Sequence, residues 1–299
     1  MRAVVVDAFG GPEQVRVAEA EVPEPAAGQV RVRVRAAGVN PVDGAVRAGV
    51  FGGAGQRIGL GWDVAGEIDA AGPGAQEWTP GRRVVGLHYG KVKPLGTHAE
   101  YVVLDASAVA PAPESVDAAV AAALPLSGLT AARALDLLGL APGDSVLITG
   151  AAGSVGGLAV QLAVRAGLTV TALAGEGDEE LVRSLGATAF VPRGSAPAGV
   201  VDGVLDAAVL GAAALAFVRD GGAYVGLIPG AEPARERGVR VVVQEVAADG
   251  AELGRLAALV DSGALTLRVA ETFGLADAAK AHAALAAPGT RGRVVLTVS

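Results

Sequence analysis

The stretch VLITGAAGSVGGLAVQLA, Val146 to Ala163, constrains the fold more than any other. Val146, Leu147 and Ile148 suit a strand buried on both faces. Gly150, Ala151, Ala152, Gly153, Ser154, Val155 and Gly156 then turn the chain into an apolar helix. Strand, glycine turn and helix in that order open a βαβ unit. The N–H groups and positive dipole at such a helix start favour an anion. Gly153 lets the backbone approach a pyrophosphate, and Gly156 lets the helix pack against the strand. Ala151 stands where these turns usually carry their first glycine, and is expected to widen the turn. The context favours a dinucleotide site; a tight turn with no ligand is the alternative.

Strands and helices alternate beyond this point. Strands are expected at 145–149, 169–173, 189–191, 203–205, 223–227 and 240–243, and helices at 155–166, 179–185, 207–217 and 248–261. That rhythm predicts a doubly wound parallel sheet. The first third has a different texture. QVRVRVRAAGV (Gln29 to Val39) alternates Val with Arg, as a half-buried strand does. Further short strands cut by Gly and Pro predict a small β-barrel or sandwich. The expected division is 1–110 for a β-rich domain, 111–264 for the parallel sheet, and 265–299 for a return to the first domain.

Composition removes several chemistries. The chain has no cysteine, which excludes disulfides, Cys-ligated zinc, iron–sulfur clusters and a thiol nucleophile. It fits a cytoplasmic setting. A net charge of −7 argues against nucleic acid or an anionic membrane as partner. Asp7 interrupts the N-terminal apolar run before a leader core forms. The apolar run 207–218 is too short to span a bilayer.

Several stretches, in this order, carry a family likeness: AAGVNPVDGAVRAG (Ala36–Gly49), GWDVAGEIDAAGPG (Gly61–Gly74), ALPLSGLTAARAL, the glycine turn, LVRSLGAT, and the closing AAKAHAAL and RGRVVLTV. The chain resembles the zinc-independent quinone oxidoreductase and enoyl reductase branch of the medium-chain dehydrogenase/reductase superfamily. The resemblance covers nearly the whole length. It implies an α/β chain with a GroES-like β-rich catalytic domain and an inserted Rossmann doubly wound sheet. Zinc-dependent relatives carry a Cys ligand near the position of Asn40 and a His-Glu pair near Trp62-Asp63. Asn is a poor zinc ligand and an indole nitrogen only donates, so no metal is expected.

By resemblance the cofactor is NADPH, with NADH the alternative. Cofactor choice is set where the second strand of the sheet ends. There TALAGEGDEE offers Glu176 and no Lys or Arg. Arg193 is the basic residue proposed to reach a 2′-phosphate. Thr130, Gly226, Leu227 and Ile228 are further candidates to touch the cofactor. Asn40 is expected to bond a substrate carbonyl or the nicotinamide ribose, or else to cap the turn at Pro41. Asp43 is expected to cap the helix that follows, close to the substrate pocket. LHYGKVKPLGTHAEY supplies Tyr89 as proton donor, with His88 and Lys91 behind it; a solvated loop is the alternative. Trp62 would wall the pocket. His98 and His282 are expected to be structural, and Arg291 and Arg293 to be surface charges.

The expected activity is metal-free hydride transfer from NAD(P)H to an electrophilic alkene (an enone or enoyl thioester) or a quinone. The alternatives are a non-catalytic NADPH-binding sensor or scaffold, and a non-redox lyase or cyclase on the same fold. The resemblance also implies a homodimer.

Overall fold

The computed structural model describes residues 1–287 and 289–299. In chain order its strands are β1 (Arg2–Val6), β2 (Arg16–Glu19), β3 (Gln29–Val39), β4 (Ile58–Gly59), β5 (Asp63–Ala71), β6 (Arg83–Leu87), β7 (Tyr101–Asp105), β8 (Val109–Pro111), β9 (Ser145–Thr149), β10 (Thr169–Ala174), β11 (Ala189–Pro192), β12 (Val201–Asp206), β13 (Val218–Gly226), β14 (Arg240–Val243), β15 (Val269–Gly274) and β16 (Arg293–Thr297). The helices are α1 (Pro41–Arg47), α2 (Ala118–Ala121), α3 (Pro125–Leu138), α4 (Ser154–Arg165), α5 (Glu179–Ser184), α6 (Ala212–Leu215), α7 (Gly250–Asp261) and α8 (Ala278–Ala286). The chain divides into two units, Met1–Leu126 with Ala247–Ser299, and Ser127–Val246.

The first unit is built on β3. Val30, Val32 and Val34 point into its core, while Arg31 and Arg33 lie on the other face and pair with Asp69 and Glu67. Burying each valine stabilises the fold by roughly 1.5–3 kcal/mol, whereas exposed ion pairs contribute about 0–1 kcal/mol. The alternation is therefore what fixes the face of the strand. The main sheet runs β15-β16-β3-β5-β6-β8, with β7 also on β3, and a smaller sheet runs β2-β1-β4. The tail returns through β16, antiparallel to β3 with Val294 opposite Val39.

The second unit holds six parallel strands in the order β11-β10-β9-β12-β13-β14. Numbered within the unit this is 3-2-1-4-5-6, the doubly wound order whose direction reverses between β9 and β12. Val146, Leu147 and Ile148 in β9 are fully buried, as a strand covered on both faces requires.

Two expectations differ from the structure. The division falls after Leu126 and Val246, not at 110 and 264. The reason is α7, whose Leu253, Leu256, Ala257 and Val260 are buried and which packs on β8. Alternation in sequence cannot say which sheet receives a helix. The helix expected at 207–217 shrinks to α6. Val209 and Gly211 take φ of +58° and +59°, outside helical space. Asp206 accepts from the Gly211 N–H and Thr149 from the Ala208 N–H, which holds this segment as a loop. Residues Ala118–Leu138 have the length and apolar character of a membrane span, but 67% of an 18-residue apolar window within them is buried inside the protein, as in a core helix.

Candidate active site

In the second unit, β9 ends at Thr149 and the chain reverses at Gly150, whose φ of +60° lies in the left-handed region that favours glycine. Gly150 therefore makes the tight turn, and Ala151 does not widen it. Ala151 is buried, with its N–H bonded to the Leu173 carbonyl at 3.1 Å. Gly153 sits at the N-cap of α4, followed by Ser154 and Val155 in its first turn. A Cβ on Gly156 would lie 2.2 Å from the Gly150 carbonyl oxygen, so only glycine permits this approach of helix to turn. A Cβ on Gly153 would meet only that same oxygen, at 3.2 Å. No side chain stands at the N-cap of α4, where an anion would meet the helix start, and Ala152 is buried in the same turn.

The ribose end is less one-sided. β10 stops at Ala174, and Asp178 caps the next turn by accepting from the Gly175 N–H at 3.0 Å. Glu176 is exposed two residues past the strand. Arg193, also exposed, follows β11 and bonds through its backbone N–H to Ala174 at 2.7 Å. An acid and a base therefore both border the end of β10.

At the carboxyl ends of β9, β12 and β13 lies a network that the sequence analysis missed. Asp206 is buried and accepts from Thr149 Oγ1 at 2.6 Å, from the Tyr224 hydroxyl at 2.7 Å, and from Gly211 N at 2.8 Å. Burial and the Asp206 carboxylate push the Tyr224 phenol up. The one signal in the sequence was an acid closing an apolar strand, VDGVLD. Gly226 ends β13 buried, Leu227 is half-buried and Ile228 exposed. Thr130 is buried on α3.

In the first unit, Asn40 is buried at the N-cap of α1, where its chain passes from β3 to Pro41. Its Nδ2 donates to Asp63 Oδ2 at 2.7 Å and to the Gly38 carbonyl at 3.3 Å. Both neighbours are acceptors, which fixes the amide orientation. Asn40 Oδ1 remains buried with no hydrogen-bond partner. The group it offers is an acceptor, suited to a hydroxyl or N–H and not to a substrate carbonyl. Asp43 accepts from the N–H groups of Asn40 and Gly61, both at 2.8 Å. It closes the α1 turn, with each of its two oxygens accepting a backbone hydrogen.

Asp63 is wholly buried at the start of β5 and also accepts from the Leu126 N–H. Burial pushes its carboxyl up, opposed by the charge of Arg293 and the bonds from Asn40 and Leu126. Arg293 is 3% exposed. It is a buried counter-charge, not a surface one. β16 lies between β15 and β3, so its first residue has neighbours on both sides. His98 and His282 are buried edge to face at 5.8 Å, and the His98 ring bonds the Gly38 carbonyl at 2.9 Å.

The loop after β6 does not behave as its sequence suggested. Lys91 is exposed, with its ammonium 5.4 Å from the Phe51 ring. Lys93, two residues on, is the one that turns inward. It is 8% exposed, donates to the His88 carbonyl at 2.7 Å and stands 4.7 Å from the centre of the buried Trp62 ring. Burial lowers its amine to about 7, against the opposing pull of Asp43 and Asp63. Burial and the Lys93 charge hold His88 neutral, at about 3. Tyr89 is 44% exposed and meets Trp62 edge-on at 5.5 Å.

Comparison with known proteins places this geometry. Residues 26–114 match the alcohol dehydrogenase GroES-like domain, and residues 176–296 a zinc-binding dehydrogenase domain. A solved NAD-dependent alcohol dehydrogenase is 31% identical with a TM-score of 0.89, covering 100% of each chain. The chain belongs to the medium-chain dehydrogenase/reductase superfamily. Its two units are that superfamily's GroES-like β-rich domain and Rossmann-like parallel sheet. Also similar are a quinone oxidoreductase from Coxiella burnetii (28% identity, TM-score 0.91, 100% of this chain and 99% of that one) and a mycobacterial protein complexed with NADPH (28% identity, TM-score 0.85, 99% of this chain and 100% of that one). Erythronolide synthase EryA2 from Saccharopolyspora erythraea is 43% identical over 161 residues, 54% of this chain. The chain spans 4% of that synthase and 57% of the rat quinone oxidoreductase, to which it is 38% identical over 62% of its own length.

The superfamily implies a nicotinamide dinucleotide, and the glycine turn fits one, since the positions where a Cβ would obstruct it are glycine. For the zinc that some members carry, the residues do not fit. Asn40 Nδ2 is engaged by two acceptors, and the indole nitrogen of Trp62 only donates. Both Asp63 oxygens accept protein hydrogens. Among the described residues no three His, Cys, Asp or Glu side chains converge as a ligand set.

Proposed function

We propose that the chain is a metal-free NAD(P)H-dependent reductase of activated C=C bonds, as in enones and enoyl thioesters, or of quinones. One observation carries the reading: the dinucleotide turn is intact while the zinc ligand positions hold Asn40, Trp62 and a fully hydrogen-bonded Asp63. Alcohol oxidation through a zinc alkoxide needs the metal as Lewis acid. A carbon that is already electrophilic needs orientation and a proton.

When bound, the dihydronicotinamide supplies the hydride. Unit two holds its pyrophosphate at Gly150–Gly156, with Thr130, Gly226, Leu227 and Ile228 as candidate nicotinamide neighbours. Asn40 Oδ1 accepts from a hydroxyl or amide N–H of cofactor or substrate, which would satisfy the one polar atom its network leaves over. Tyr89, exposed and edge-on to the buried Trp62, is the ring proposed to border the acceptor, with Trp62 behind it and His88 and Lys91 on the same loop. NADPH is the proposed cofactor through Arg193, with Glu176 favouring NADH. A homodimer through the edge strand β14 is proposed.

The test is cofactor oxidation across a panel of enones, enoyl thioesters and quinones with NADPH and with NADH. Turnover of at least one class supports the reading. Tight NADPH binding with no turnover of any acceptor favours a sensor or scaffold. A product of unchanged oxidation level favours a lyase or cyclase.

A further inference from the structure

The segment that links β12 to α6 in the second unit is held in a conformation its sequence does not favour. Among the described residues the left-handed backbone region is occupied by glycine everywhere except at Val209 and Arg237, with φ of +58° and +51°. A β-branched residue is strained there. Arg237 has a local reason to accept the strain. Its guanidinium donates to the Val218 carbonyl at 2.6 Å and to the Leu215 carbonyl at 2.8 Å, which ties its loop to the start of β13. Val209 has no such compensation. Its side chain is 42% exposed and that of Leu210 beside it is 36% exposed. Glycine, which stands at Gly211 with φ of +59°, would adopt the same backbone at Val209 without strain.

The segment is also fixed in place. The Ala208 N–H donates to Thr149 Oγ1 at 2.9 Å and the Gly211 N–H to Asp206 Oδ2 at 2.8 Å, so Val209 and Leu210 are presented between two anchored points. The segment lies against the glycine turn, since a Cβ on Gly150 would be 3.3 Å from both the Ala207 carbonyl carbon and the Ala208 nitrogen. Thr149 at the end of β9 stands opposite Asp206 at the end of β12, which is where the sheet order reverses. A dinucleotide lies across that point in a doubly wound sheet. Its adenosine ribose sits at the end of the second strand, here β10, so its other half passes over the end of β12.

Resting on the reading of the glycine turn as a dinucleotide site, we infer that Val209, with Leu210 beside it, is the apolar seat of the nicotinamide riboside half of the cofactor. The free protein carries the strain and the exposed apolar surface; the bound dinucleotide covers that surface. Removing it from water supplies affinity. Anchoring at Ala208 and Gly211 means that the loop is ordered before binding, which spares the complex that cost.

The test measures by calorimetry how the whole chain, Val209→Gly and Val209→Asn bind NADPH, NADH, ADP and adenosine 2′,5′-bisphosphate. Gly and Asn both accept a left-handed backbone, and neither brings apolar surface. Both variants are expected to bind the tighter dinucleotide about tenfold more weakly and the adenosine nucleotides within about twofold of the wild type. Their melting temperatures without ligand are expected to lie no more than about two degrees below the wild type, because relief of strain offsets the lost packing. Retained dinucleotide affinity in either variant would overturn the assignment, whether or not a dimer is lost on sedimentation. So would an equal weakening of the adenosine nucleotides, which would place the effect on the whole turn. A deeper fall in melting temperature would also overturn it, by showing that the side chain serves the fold. Binding of neither dinucleotide by the wild type overturns the reading of the glycine turn itself.

Discussion

Replacing Lys93 with Met tests whether the fold holds this amine in the neutral form. Burial lowers it from 10.5 to about 7. At roughly 1.4 kcal/mol per pH unit, that shift corresponds to about 5 kcal/mol of penalty for the charged form in the fold. Below about pH 7 the folded and unfolded chains both carry the charge, and the folded state bears the whole penalty. Between about pH 7 and 10.5 the folded state has lost the proton while the unfolded state keeps it, so stability rises with pH. Met fills a similar volume with no charge and titrates nowhere. Lys93→Met is therefore expected to exceed the wild type in stability at about pH 6, and the gap to narrow by about 3 kcal/mol by about pH 9. Urea unfolding of both proteins at the two pH values measures it. A difference that stays constant with pH would refute the reasoning, because it would mean that the amine titrates as it does in water.

Two further changes probe the rest of the framework. Gly156→Val puts side-chain atoms where even a Cβ lies 2.2 Å from the Gly150 carbonyl, so NADPH affinity by fluorescence titration is expected to fall at least about tenfold; unchanged affinity would contradict the turn as pyrophosphate site. Arg293→Met leaves Asp63 buried without its counter-charge and is expected to destabilise the fold by about 3–5 kcal/mol in denaturant unfolding, with much of the loss recovered by adding Asp63→Asn.

Where a local pattern and the fold agree, the sequence was informative. Val146–Ile148 read as a doubly covered strand because both faces of β9 are covered. The Val and Arg alternation in β3 read as one wet face for the same reason. Other features depend on what a segment packs against, which no period records. The α7 helix has an ordinary apolar face, and only the structure shows it resting on β8. Arg293 stands in RGRVVLTV, like a surface residue, but the strand it opens is internal and Asp63 lies within reach of its charge. An acid in the apolar run GWDVAG was the available hint that a buried cation must exist. Lys91 and Lys93 are separated by one valine in an irregular loop, where no periodicity tells the outward lysine from the inward one. The glycine turn was recognised, but its left-handed residue is Gly150, one position before the one expected.

The most direct measurement follows a deuterium placed at the transferring carbon of the reduced nicotinamide. Incubated with this chain and an enone, the label is predicted to appear on the β-carbon of the saturated product, with one cofactor oxidised per product formed. A cofactor that binds at the glycine turn and is oxidised by no enone, enoyl thioester or quinone would contradict the account.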